Sequence, residues 1–150
     1  MTLSLQEISD RFEIQDLIVD YADAIDNCDI DRLDHIFTQD AFIDYSAMGG
    51  EVGGLEKIKP FLKAALPIFK NTQHLISNYQ IKIDGDKANG KIMCFNPMQL
   101  EDQAHDHPVM FLGLWYVDEY IRTADGWRIS RRVEQKSYEF NTPTSVDAGS

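Results

Sequence analysis

The hydrophobic repeat of this chain changes period once, near His74, and that change limits the possible folds more than any other feature. Before it, apolar residues recur every three or four positions; after it they alternate. Ser4 and Glu7 form a capping box ahead of a helical stripe of Leu5, Ile8, Phe12, Leu17, Ile18, Tyr21, Ala22 and Ile25, predicting a helix that ends near Asn27. A short helix is expected from Ile30 to Phe37 with Asp29 as its cap, then a strand from Ala41 to Ser46. After the turn at Gly49, Gly50, Gly53 and Gly54, Leu55 to Leu66 is helical in character, with Pro60 in the first turns. Beyond His74, strands are expected over 74–83, 87–99, 109–123 and 127–140, joined by Asp84-Gly85-Asp86, the polar stretch 101–107 and Ala124-Asp125-Gly126. Helices first and antiparallel strands afterwards mean an α+β fold, with helices packed on one face of a strongly bent sheet.

At 150 residues the chain is one domain, residues 1–150, with 141–150 expected as a flexible or partner-contacting tail. Fourteen basic against twenty-five acidic residues give a net charge of -11, which argues against nucleic acid and anionic membranes as partners. No apolar run suits a membrane span, and the first ten residues lack the basic and apolar regions of a signal peptide. Cys28 and Cys94 make neither a disulfide framework nor a metal cluster. A cytoplasmic protein is the expectation.

Candidate chemistry begins with His74, whose imidazole is the readiest general base at neutral pH. Asp26 lies on the buried stripe of the first helix, at its C-terminal end, where both burial and the helix dipole disfavour a carboxylate. A histidine N–H would relieve both penalties, and the carboxylate would orient the ring. Asp16, Asp20 and Asp23 read as the solvated face. Tyr45, closing the first strand, can donate a hydrogen bond to a substrate oxygen. Strict alternation puts Trp127, Ile129 and Arg131 on one face of the last strand and Arg128, Ser130 and Arg132 on the other. An inward Arg132 would need an acidic neighbour, and Asp118 is the nearest candidate. His105 and His107, two apart with no third ligand, are read as solvated, as is His35, so no metal site is expected.

Tyr21-Ala22-Asp23-Ala24-Ile25-Asp26, Asp29-Ile30-Asp31-Arg32-Leu33, Ile43-Asp44-Tyr45 and Thr72-Gln73-His74 together resemble the scytalone dehydratases. Ile14-Gln15-Asp16-Leu17, Asp118-Glu119-Tyr120 and the run from Asp125 to Arg132 resemble the hexachlorocyclohexane dehydrochlorinases. Both belong to the SnoaL-like branch of the nuclear-transport-factor-2-like (NTF2-like) superfamily, and the likeness extends from about Ile8 to Phe140. It implies a cone-shaped α+β barrel, also called cystatin-like, in which a curved mixed sheet wraps around N-terminal helices and one deep pocket. It also implies a cofactor-free acid/base site. Asp26 and His74 match the shared Asp–His dyad. Tyr45 matches a tyrosine that polarises the substrate carbonyl through water, and Arg132 an arginine that supports a leaving anion. Three positions depart from the pattern: Ile25 stands for the dehydratase's first-helix tyrosine, Leu114 for its second histidine and Tyr21 for the dehydrochlorinase's lysine.

With Leu114 facing inward, alternation adds Leu112, Tyr116 and Asp118 to the same side. Together with Tyr21, Tyr45 and Phe42 or Phe95, they would line an apolar, partly aromatic cavity for a cyclic small molecule. The leading expectation is a lyase or isomerase that abstracts a proton through His74. The alternative is a non-catalytic binding protein or the small subunit of an aromatic-ring dioxygenase. An uncovered sheet face predicts a homodimer or homotrimer.

Overall fold

The structure, a computed structural model, describes residues 2–101 and 109–143. Helix α1 (Leu5–Asp26) opens with the expected capping box: Ser4 Oγ accepts from the Glu7 N–H at 3.1 Å, and Glu7 Oε2 accepts from the Ser4 N–H at 2.8 Å. Its core stripe is not the one read from the first turns. Leu5 is 86% exposed and Phe12 62%, whereas Asp10, Ile14, Leu17, Ile18, Tyr21 and Ile25 are buried. The sheet covers the helix only from Asp10 onward, so the apolar residues before that point have nothing to pack against.

Helix α1 ends in a Schellman motif: the Cys28 N–H bonds to the Ile25 carbonyl and the Asp29 N–H to the Ala24 carbonyl, with Cys28 left-handed at φ 54°. The expected helix over 30–37 is a 3-10 turn (Ile30–Arg32) followed by α2 (Leu33–Ile36), and Asp29 makes no side-chain cap bond. Strand β1 (Phe37–Asp44) starts earlier than expected, and β2 (Val52–Gly53) pairs with it. Helix α3 (Leu55–Ala65) buries Leu55, Ile58 and Leu62. Pro60 is its sixth residue, in the second turn, and costs the helix one bond to the Glu56 carbonyl.

A short strand not anticipated from the sequence, β3 (Phe69–Thr72), precedes β4 (Leu75–Asp84), β5 (Lys87–Leu100), β6 (Val109–Thr123) and β7 (Gly126–Phe140). The sheet order is β2-β1-β7-β6-β5-β3, with β4 also on β5. β1 runs parallel to β7 and the other pairings are antiparallel, so the sheet is mixed. It curls around α1 and α3 as a half-barrel. No described helix is long and apolar enough to cross a membrane.

A β-bulge decides which arginine turns inward. Glu119 faces Arg131 while Tyr120 faces Ile129, leaving Ser130 as an extra residue in β7. The bulge breaks the expected alternation. Trp127, Ile129 and Arg132 share the core face, and Arg131 turns out over the Phe42 ring at 4.6 Å. Phe42 and Phe95, expected near the cavity, both lie on the outer face, where Phe95 stacks on Phe111 at 5.8 Å and Phe111 meets Phe140 at 6.3 Å.

Candidate active site

The concave side of the sheet, α1 and α3 enclose a cavity of about 320 Å³. Most of its wall is aliphatic or thioether: Leu62, Leu66, Ile68, Met98, Met110, Leu112 and Leu114 among others. Polar groups enter it at only a few points: Tyr21, Tyr45, Tyr116, His74, Asn96 and Glu134. An apolar chamber with a few convergent polar groups is the form of a small-molecule site.

Asp26 and His74 meet at one wall. Asp26 Oδ1 is 2.6 Å from His74 Nδ1, and Oδ2 accepts from the His74 backbone N–H at 2.8 Å. Both carboxylate oxygens are therefore spent on one residue, which locks ring position and backbone together. The His74 side chain is only 6% exposed and that of Asp26 22%. With Nδ1 protonated toward Asp26, Nε2 carries the lone pair that a base needs. Asn96 Nδ2 approaches that nitrogen at 3.1 Å, and Thr72 Oγ1 donates to Asn96 Oδ1 at 3.0 Å, fixing the amide. A ligand atom would have to displace this amide to reach Nε2.

A second polar group forms opposite. The Tyr21 and Tyr45 hydroxyls are 2.6 Å apart. One proton fills that contact and the other stays available to a ligand oxygen. Burial pushes the Tyr21 hydroxyl up to about 12 and Tyr45 well above the ordinary tyrosine range, so both remain neutral donors. The turn after Tyr45 is tight: the Gly50 N–H bonds back to the Tyr45 carbonyl at 2.9 Å, and a Cβ at Gly50 would stand 2.7 Å from that of Tyr45. Gly49, at φ 81°, supplies the left-handed step.

Arg132 and Asp118 lie beneath this group rather than on the wall. Arg132 is fully buried and makes two bonds to Asp118, Nε to Oδ1 at 2.8 Å and Nη2 to Oδ2 at 2.6 Å. Tyr120 adds a third bond to Asp118 at 2.7 Å. The guanidinium packs over the rings of Tyr21, at 4.1 Å, and Tyr116, at 4.0 Å, which meet edge to face at 78°. Burial alone would strip its charge; Asp118 more than offsets that and keeps it a cation. Asp118 was expected to touch ligand, and also to be the acidic neighbour of Arg132 should that arginine turn inward, which it is. Neither is a lining residue, because each satisfies the other below the aromatic floor.

Glu134 and Asn96 were not anticipated. Asn96 alternates inward with Ile92 and Cys94 along β5, a pattern open to a reader of the sequence. Glu134 sits in the polar string Val133-Glu134-Gln135-Lys136, which reads as solvated until the bulge at Ser130 resets the parity of β7. Burial, with Asp44 and Asp118 adding to it against the pull of Arg132, raises the Glu134 carboxyl to about 8. His35 is exposed, and His105 and His107 lie outside the described residues.

Residues 6–133 match the family model of the SnoaL-like domain. The chain belongs to that family. An uncharacterized protein from Mycobacterium tuberculosis (strain ATCC 25618 / H37Rv) is 49% identical over 137 residues, covering 91% of this chain and 92% of its own. A Novosphingobium aromaticivorans protein provisionally described as a scytalone dehydratase superposes with a TM-score of 0.81 at 19% identity, over 92% of this chain and 91% of that one. The type-3 hexachlorocyclohexane dehydrochlorinase from Novosphingobium barchaimii gives 0.77 at 23% identity, over 95% of each. At such identities the likeness is one of fold, the NTF2-like α+β half-barrel. Within this SnoaL-like domain, the Asp–His contact and the tyrosine pair are features of the chain's own geometry.

Proposed function

We propose that this SnoaL-like protein is a lyase or isomerase that removes a carbon-bound proton from an apolar cyclic ligand, with His74 as base and Asp26 as its orienting partner. The supporting observation is the two-point grip of Asp26 on His74 at the wall of a largely apolar cavity. The Tyr21–Tyr45 pair holds the oxygen on which charge develops, while Arg132, 4.1 Å under the Tyr21 ring, acts through the tyrosines. Two fold neighbours carry the names of enzymes that eliminate water or hydrogen chloride, reactions that begin with this step. In D2O, the protein should exchange the α-protons of a panel of cyclic ketones, read by NMR, and His74→Ala should remove the exchange. Exchange that persisted undiminished in folded His74→Ala would overturn the reading.

The outer aromatic face of Phe95, Phe111 and Phe140 is where we place a homodimer or homotrimer contact. Light scattering that returned the single-chain mass of 17.2 kDa at every concentration would remove it.

A further inference from the structure

We propose that Glu134 is a second catalytic residue, the acid that protonates a departing hydroxyl, so that the substrate is a neutral cyclic alcohol with a carbonyl next to the C–H that His74 attacks. This rests on the proton-abstraction reading above and narrows it to dehydration.

The placement comes first. Glu134 is paired with Tyr116 across β7 and β6, and it follows Arg132 by two residues, so its side chain leaves the sheet on the cavity side. Asn96, against which His74 rests, is on β5. Asn96 lies opposite Leu112 and Glu134 opposite Tyr116 on the intervening strand β6, so the two backbones are about 10 Å apart across the sheet and about 13 Å apart along it, roughly 16 Å before the side chains reach inward. A ring fits between base and acid.

The charges around Glu134 leave no cation to hold it ionised. Arg132 is the only basic side chain in the described cluster beneath it, and Asp118 has taken that charge through two bonds. Arg132 Nη1 makes no hydrogen bond, so Glu134 is not joined to it. Asp44 and Asp118 repel a further negative charge, and Tyr21, Tyr45, Tyr116 and Cys94 are all kept neutral by burial. An ionised Glu134 would leave an unbalanced anion in an apolar wall. A carboxylic acid there is an O–H donor, and among the described lining residues it is the strongest proton donor.

The chemistry balances without any co-reactant. His74 Nε2 takes the proton from the carbon beside the carbonyl. The electron pair of that C–H bond becomes the new C=C bond through an enolate whose oxygen rests on the Tyr21–Tyr45 hydroxyls. The C–O bond breaks with its pair on oxygen, Glu134 supplies a proton to that oxygen, and water leaves. The imidazolium and the carboxylate are then reset by one proton passing through solvent. Hydroxide is too basic to leave unassisted, whereas halide or acetate needs no such proton. The presence of a neutral acid therefore selects the alcohol.

The test uses the full chain and two probes, 3-hydroxycyclohexanone and 3-acetoxycyclohexanone, with the infrared spectrum of the unliganded protein as an independent readout. Glu134→Gln should slow loss of water by about 100-fold or more and leave loss of acetate within a few-fold, while His74→Ala stops both. Dehydration by the wild type should fall as pH rises through about 8, and acetate loss should not. At pH 6 the spectrum should show a protonated-carboxyl band that disappears in Glu134→Gln. Equal slowing of both probes, no slowing of either, wild-type loss of acetate but not of water, or a missing band would each overturn the role of Glu134. Absence of α-proton exchange would instead overturn the His74 reading beneath it.

Discussion

Helix α1 carries a carboxylate at each end of its core stripe, Asp10 buried and Asp26 half-buried, and the two are held in opposite ways. Asp10, near the start, is gripped by Arg122 through two bonds of 2.7 Å and by the Trp127 indole N–H at 3.1 Å. Asp26, in the last turn, is gripped by a histidine beside a cavity. Arg122 is a permanent cation, so the Asp10 carboxyl lies well below the usual range and never gains a role in proton transfer. It ties the helix to β6 and β7. Imidazole can give and take a proton near neutrality, and His74 at the Asp26 end lines the largely apolar cavity. One residue type on one stripe is tied to a permanent cation at one end and to a titratable ring at the other, and the proposed chemistry falls to the second.

The same substitution made at both ends breaks the comparison most sharply. Asp26→Asn should reduce α-proton exchange by about 10²–10⁴-fold, because the ring loses its orienting acid. Its melting point should move little, since an amide oxygen can still accept from the His74 N–H. Asp10→Asn should leave exchange unchanged and lower stability by about 2 kcal/mol or more, measured by urea titration, because a charge-assisted grip on Arg122 is lost. Comparable losses of activity from both variants would erase the distinction.

The pH dependence sharpens it. The carboxyl of Asp10 is depressed in the folded state, so its stabilisation is complete above the unfolded value of about 4 and is lost as pH falls through the lower folded value. The gap in urea midpoint between wild type and Asp10→Asn should hold constant from pH 8 to about 4 and close only below that. A gap that closed near pH 6 would mean that another group carries it.

The smallest effect concerns how Asp26 reaches its place. Cys28 adopts φ 54° in the motif that ends α1, a conformation that glycine enters without strain. Cys28→Gly should raise stability by about 0.5–1 kcal/mol without altering exchange. A loss of exchange would show that the Cys28 side chain itself helps to set the Asp26 grip.

Much of this was legible in the residues. The capping box, the two-residue turn at Gly85-Asp86, the strand from Val109 to Thr123 and the change of period all follow from near-neighbour spacing, and all appear in the fold. Asp26 was recognisable because a carboxylate on an apolar stripe has to find a partner, and His74 was the partner at hand. Asp10 occupies the same stripe four residues before Ile14, and the same reasoning would have found it had the exposed Leu5, Ile8 and Phe12 not suggested another face.

What the residues alone determined is the inventory and its local order: helices before strands, a histidine, a carboxylate on the helix stripe to partner it, and a tyrosine just after β1. Tertiary structure decided which side chains face the cavity. The bulge at Ser130 lies where β6 and β7 pair, with the Ser130 hydroxyl donating to the Glu119 carbonyl across it; it turns Arg132 inward, sends Arg131 out, and brings Glu134 to the wall. Whether Glu134 is charged depends on the sum of burial, Asp118 and Arg132 around it, contributed by strands that meet only in the folded sheet. Spacing along the chain records what lies three or four residues away, and these charges lie across the sheet.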